Sequence, residues 1–477
     1  MAPVHLILAA GIIVAEAAVL LRAIVRPHRE PASRLAWVII IIVAPVVGTI
    51  AYLLLGETRI RRRRFGQMID RSLPREPPDE AAVKALADSH YSAPFALAQS
   101  INRVGPTEGN RASLARDSKA AIDGIVADID SAKMHVHFET YIWLADCNGL
   151  KVKDALVRAA RRGVAVRGLA DALGSRRFIH SAHWRDLIDS GAELRPALPF
   201  GNLFRIVIRG RIDLRNHRKS VVIDNRLAWV GSQNFADPEF RIKPRFAPWV
   251  DIMTRWEGPV VCDCQFLFVS DWMGEGGNDI RDCLSERPGE ASKPGQIAAQ
   301  VIGTGPIFAY DAMPSCFSEL IHSAREELVV TTPYFVPDEQ LLYALLSAAR
   351  RGVRLTLVFP KRNDSRFVAG ASRSYYSELL KAGARIFEFR PGLLHAKTMV
   401  VDGAIALVGS ANLDRRSFEL NFENNILFAD PAFASEIRAR QDEFIAQSDA
   451  VAIAQVDRFG LGTRVWQNAL AMLGPVL

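Results

Sequence analysis

Residues 395–412 read HAKTMVVDGAIALVGSAN, and residues 217–234 read HRKSVVIDNRLAWVGSQN. Nine of the eighteen aligned positions are identical, with no gap. Each copy is an apolar, β-branched run broken at Asp402-Gly403 or Asp224-Asn225. Asp-Gly is the strongest short hairpin signal, and Asp-Asn a weaker form of it. A two-residue turn sets His395 opposite Ser410 and His217 opposite Ser232, with Asn412 and Asn234 further along the same face. Side chains two apart on a strand share a face, so Lys397 and Lys219 join their histidines. Each hairpin is thus expected to gather its own His, Lys, Ser and Asn into one polar patch. Asp402 and Asp224 have the wrong parity for that face and read as turn formers and backbone acceptors.

The repetition extends beyond the hairpins. ALVRAARRGVAVRGLAD at 155–171 answers ALLSAARRGVRLTLVFP at 344–360, each a helix stopped at Gly163 or Gly352 and followed by a buried strand. VHFETYIWLAD at 136–146 answers VVTTPYFVPDE at 329–339 more loosely. Three matched blocks in one order indicate duplication of a whole α/β domain. The halves run from 113 to 295 and from 296 to 477, each a mixed sheet flanked by helices, packed about a pseudo-twofold axis.

Upstream the composition changes. Leu35–Leu55 is uncharged and long enough to span a bilayer as a helix. Val4–Leu21 is a second apolar run that carries Glu16. No Lys or Arg precedes it, which argues against a signal peptide. Residues 1–58 are therefore expected to form a membrane anchor of two transmembrane helices. Residues 59–112, which include PREPPDE, read as a basic, Pro-rich linker. Arg59, Arg61, Arg62, Arg63, Arg64, Arg71 and Arg75 follow the second run, against Arg22, Arg26, Arg29 and Arg34 between the runs. That bias places the body on the cytoplasmic side of the inner (plasma) membrane. Five cysteines, an odd number without zinc-type spacing, agree with a reducing compartment. A net charge of +7 and a pI near 9.2 suit anionic lipid beside such helices. PALPFGNLFRIVI at 196–208 reads either as a lip dipping into the bilayer or as an ordinary strand and loop. The C-terminal RFGLGTRVWQNALAMLGPVL reads either as an interfacial helix or as one packed on the second half.

Lysine, hydroxyl and amide groups suit a phosphate, and the chain has neither a Walker loop nor a metal-ligand spacing. No cofactor or metal is expected. Two patches brought around one phosphorus supply two imidazoles. One can attack covalently, while the other protonates the leaving alkoxide and then deprotonates the incoming hydroxyl.

HxKx4D followed by GSxN, present twice, resembles the phospholipase D superfamily. The N-terminal apolar pair, RNHRK at 215–219, TPYFVPDE at 332–339 and GSANLDRRSFELNFE at 409–423 resemble the bacterial cardiolipin synthases. The resemblance implies a catalytic set of His217, Lys219, Asp224, His395, Lys397 and Asp402, supported by Ser232, Asn234, Ser410 and Asn412. It implies an acid that orients each histidine: Glu423 in the second half and Asp251 in the first. It implies His217 as nucleophile and His395 as acid and base. It further implies condensation of two phosphatidylglycerol molecules to cardiolipin and glycerol through a phosphatidyl-histidine. The stretch FADPEFRIKPRFAP at 235–248 departs from the synthase pattern and bears on the choice of acceptor. Other readings are a phospholipase D using water, a nuclease, for which the membrane helices are superfluous, and a non-catalytic scaffold. No nucleic-acid partner is expected, and the sequence leaves oligomeric state open.

Overall fold

The structure, a computed structural model, describes residues 2–26, 31–56, 90–199, 213–240, 242–285, 295–306 and 311–472. The arginine run after residue 58, the PREPPDE segment and residues 200–208 of the expected lip lie outside the described residues.

The first half contributes β1 (Thr107–Leu114), β2 (His135–Thr140), β3 (Ala165–Asp171), β4 (Glu193–Ala197), β5 (Ser220–Ile223), β6 (Leu227–Gly231) and β7 (Met253–Glu257). The second contributes β8 (Ile297–Thr304), β9 (Glu327–Thr331), β10 (Arg354–Pro360), β11 (Arg385–Phe389), β12 (Thr398–Val401), β13 (Ile405–Gly409) and β14 (Asn421–Ala429). All lie in one mixed sheet whose centre is the antiparallel pair β1–β8. Outward from that pair the first half runs β1-β7-β6-β5-β2-β3-β4, and the second runs β8-β14-β13-β12-β9-β10-β11. The two series correspond position for position, as a pseudo-twofold between β1 and β8 requires. A shared core of Trp256, Val261, Leu267, Val408, Phe428 and Phe433 joins the halves. Burial of apolar surface on both sides of the axis holds them as one body.

The matched helix–strand blocks form as read. Cys147–Arg161 precedes β3 and Glu339–Arg350 precedes β10. Asp146 and Asp338 cap these helices, accepting from Gly149 N and Leu341 N. Gly163 at φ 87° and Gly352 at φ 91° make the left-handed stops that a side chain would strain.

Three features differ from the sequence reading. The uncharged run 35–55 is not one helix. After α1 (Ala2–Val25), α2 (Pro31–Val43) ends at Ala44, and α3 (Pro45–Ala51) starts on a proline before a π turn at Tyr52–Gly56. Proline lacks an N–H and crowds the preceding turn, and Ala44 sits at φ −132°, ψ 73°. Among the described residues no helix is long and apolar enough to cross a membrane. The expected linker also ends earlier than 112. A helix over Ser92–Asn102 buries Phe95 and Ala98 in the second-half core, and β1 lies at the centre of the sheet. The C-terminal helix, Leu461–Met472, packs Leu470 on the helix Arg366–Ser374, where Gly370 permits close approach. Its Leu461, Val465 and Met472 face outward, so it is a packed helix with an exposed apolar stripe.

The hairpin register is the third correction. Val401 pairs with Ile405 and Ile223 with Leu227, so three residues separate the paired strands. His395 is therefore not opposite Ser410, nor His217 opposite Ser232. The turns fall where the sequence places them, with positive φ at Asp402 and Gly403 and at Asp224 and Asn225. The extra residue arises because the aspartate belongs to the neighbouring strand: Asp402 N donates to Glu327 O, and Asp224 N to His135 O. The Asp402 carboxylate accepts from the backbone N–H groups of Arg325, Glu326 and Glu327 at 2.8–3.0 Å. Asp224 does the same for Lys133, Met134 and His135 at 2.8–2.9 Å. Both carboxylates are engaged in scaffold contacts, and neither lines the cavity that holds His217 and His395. Asp224→Ala is expected to cost about 3 kcal/mol, since it deletes a charged acceptor of three N–H groups, two of them part-buried and that of His135 buried. A thermal melt that matches wild type would sink this reading.

Candidate active site

His217-Arg218-Lys219 and His395-Ala396-Lys397 precede their strands rather than lying on them. Each segment leaves its own hairpin and pairs with the other half. Arg215–Asn216 runs parallel to Asn421–Phe422, and Leu393–Leu394 runs parallel to Trp249–Val250. His217 N donates to Phe422 O at 2.9 Å and His395 N to Val250 O at 2.8 Å. These registers set His217 beside Glu423, and His395 beside Asp251.

His217 Nδ1 lies 2.9 Å from Glu423 Oε2, and His395 Nδ1 lies 2.6 Å from Asp251 Oδ1. The acids are therefore exchanged: each half orients the histidine of the other, not its own as the sequence reading had it. Ser410 Oγ donates to Glu423 Oε2 at 2.5 Å, and Ser232 Oγ to Asp251 Oδ1 at 2.6 Å. Asn421 Nδ2 adds a third contact to Glu423 at 3.2 Å. The patches are not independent, because each serine serves the acid that serves the opposite histidine.

Lys219 Nζ donates to His217 O at 2.6 Å and Lys397 Nζ to His395 O at 2.5 Å. Both ammonium groups are buried behind the cavity wall. Asn234 and Asn412 line the cavity. Asn234 Oδ1 accepts from Ile142 N at 3.0 Å, and Asn412 Nδ2 contacts Ser417 Oγ at 3.2 Å.

Both histidines line one cavity of about 490 Å³. With Nδ1 engaged by a carboxylate, Nε2 is the atom of each ring left for chemistry. Burial pushes both imidazoles down to about 4, against the pull of their carboxylates, so both are neutral at rest. Lysines from both motifs press in the same direction on each ring. The imidazoles nearby hold Glu423 and Asp251 below their usual range despite burial. An arriving phosphodiester anion favours uptake of a proton by an imidazole, because a nearby opposite charge stabilises the charged ring. Among the described residues no group of His, Cys, Asp or Glu is arranged to hold a metal ion.

Burial lowers Lys219 to about 8 and Lys397 to about 7. Above those values the positive charge of the two lysines is lost. For an anionic lipid, kcat/KM is expected to fall between pH 7 and 9. A plateau up to the ordinary lysine range near 10.5 would refute this.

Several cavity residues escaped the sequence reading. Tyr141 meets His217 edge-on at 5.0 Å between ring centroids, and Trp249 lies tilted on His395 at 4.7 Å. Tyr334 occupies the place of Tyr141 in the matched blocks, and both line the cavity. That coincidence was a usable signal. Arg218 was not signalled: it is buried against Asp271, donates to Glu423 O at 3.1 Å, and is Ala396 in the second copy.

Residues 125–243 and 317–445 match the family model described as Cardiolipin synthase, PLD-like domain, and residues 17–57 match Phospholipase_D-nuclease N-terminal. Cardiolipin synthase A of Serratia proteamaculans (strain 568) is 36% identical over 472 residues, covering 97% of this chain and 96% of that protein. Cardiolipin synthase A of Edwardsiella ictaluri (strain 93-146) is 36% identical over 471 residues, with the same coverage. The crystal structure of phosphatidylserine synthase from Haemophilus influenzae Rd KW20 shares the fold at a TM-score of 0.60 and 14% identity, covering 80% of this chain and all of that one. With a duplicated body around one histidine pair, and relatives alike from end to end, the chain belongs to the phospholipase D-like cardiolipin synthase family.

Proposed function

We propose that the protein transfers a phosphatidyl group between two phosphatidylglycerol molecules, giving cardiolipin and glycerol. The observation that carries this is the pair of motif histidines on one cavity, each tied through Nδ1 to a buried carboxylate. His217 Nε2 attacks phosphorus, and the P–O bond to glycerol breaks as His395 gives its proton to that oxygen. His395 then takes the proton of the acceptor hydroxyl, whose oxygen attacks phosphorus and breaks the P–N bond. Glu423 and Asp251 hold the rings and stabilise each imidazolium as it forms. Asp224 and Asp402 hold the hairpins and take no part in proton transfer. Purified enzyme in vesicles of phosphatidylglycerol alone is expected to release cardiolipin and glycerol in equal amounts. Phosphatidic acid as the main product would assign it as a hydrolase instead.

The N-terminal helices are the membrane anchor in this reading, with the body cytoplasmic. Ile12, Ile13, Val14, Ile42, Val43, Val46 and Val47 expose large apolar side chains that water does not favour. Removal of residues 1–56 is expected to shift the chain from the membrane to the soluble fraction. A C-terminal reporter active only outside the cytoplasm should stay silent, and strong activity would reverse the orientation.

A further inference from the structure

The divergent stretch 235–248 is not used by the phosphoryl chemistry, yet it builds the cavity wall next to His395. Phe240 stacks on Trp249 at 4.0 Å, and Trp249 lies on His395. Ile242 and Lys243 line the same cavity. Lys243 Nζ crosses to the second half and meets Asp364 Oδ2 at 2.7 Å. The other oxygen, Asp364 Oδ1, accepts from Tyr334 Oη at 2.7 Å. An ammonium, a carboxylate and a phenol from both halves thus converge on one wall. The Asp364 side chain is 6% exposed and that of Lys243 45%.

Phosphoryl displacement keeps the attacking and leaving groups in line. With His217 attacking, the leaving glycerol departs on the His395 side. The acceptor hydroxyl must enter by the same face, because the second step retraces the first. The wall beside His395 therefore meets a glycerol unit twice in each turnover.

We propose that Lys243, Asp364 and Tyr334 form a polyol subsite that holds the glycerol unit as it leaves the donor and as the acceptor presents it. This rests on the phosphatidyl-transfer reading. The groups have capacity to spare: a carboxylate offers about four lone-pair sites, an ammonium three donors, and a phenol oxygen also accepts. Hydroxyls away from phosphorus can donate to Asp364 and accept from Lys243. A site built to bond hydroxyls penalises an alcohol that lacks them.

The test uses the full chain in phosphatidylglycerol vesicles with labelled glycerol and 1-propanol competing at equal concentration. Labelled phosphatidylglycerol and phosphatidylpropanol come from the same phosphatidyl-enzyme, so their ratio is independent of how fast it forms. Wild type is expected to favour glycerol by roughly tenfold or more. Asp364→Asn and Lys243→Met should each bring the ratio down by about fivefold or more. Lys243 is half-exposed, so its variant decides the matter even if Asp364→Asn does not fold. An unchanged ratio in Lys243→Met, with wild type incorporating glycerol, overturns the subsite alone. Incorporation of neither alcohol by wild type, with phosphatidic acid accumulating, overturns the transfer reading and the subsite with it.

Discussion

His217→Ala is expected to lower cardiolipin formation by about 10⁴-fold or more and to leave no covalent phosphatidyl-enzyme, because the attacking nitrogen is gone. His395→Ala should lose as much turnover, since the two rings act as one unit and their losses do not add. The two variants separate on trapping. With a lipid whose leaving group needs no proton, His395→Ala should still form the adduct slowly, on His217. Acid quench with phosphorus-labelled lipid, followed by peptide mapping, reads this directly. Label on His395 in the His217 variant would reverse the roles. Absence of label from both would remove the covalent step.

The second large effect tests the exchange of acids between the halves. Glu423→Gln and Asp251→Asn are each expected to cost about 10³- to 10⁴-fold in turnover, by releasing the tautomer and orientation of the imidazole. Glu423 lies in the second half, yet its ring is His217. Glu423→Gln should therefore fail to form the adduct even from the activated lipid. Asp251→Asn, a first-half change, should behave as His395→Ala does and still trap label on His217. The opposite pattern would mean that each acid serves its own half. A same-half pairing would also leave unexplained the register of Asn216 with Phe422 and of Leu394 with Val250.

Much of the site was legible because the duplication gave two readings of one structure. Matched blocks at 136–171 and 329–360 announced two α/β units, and the helix stops at Gly163 and Gly352 form as read. The repeated His, Lys, Ser and Asn could not be an accident of packing. Leu393 and Leu394 are fully buried in the cross-half ladder. Arg218 sits at a position where the two copies differ, and comparing them gave it no weight.

The sequence by itself determined the duplication, the recurrence of one histidine motif in each half, the turn residues and the apolar N-terminus. These depend on local periodicity and on residue types, which a single chain displays directly. Tertiary structure decided the rest. The turn aspartates are drawn to the neighbouring strand, and this adds one residue to each hairpin. Pro45 divides an unbroken apolar run. Each histidine segment peels away to pair with the opposite half, so that Glu423 serves His217 across 206 residues and Asp251 serves His395 across 144. Two like halves offer each histidine two chemically equivalent acids. Only the backbone register at the pseudo-twofold interface distinguishes them, and no local pattern encodes it.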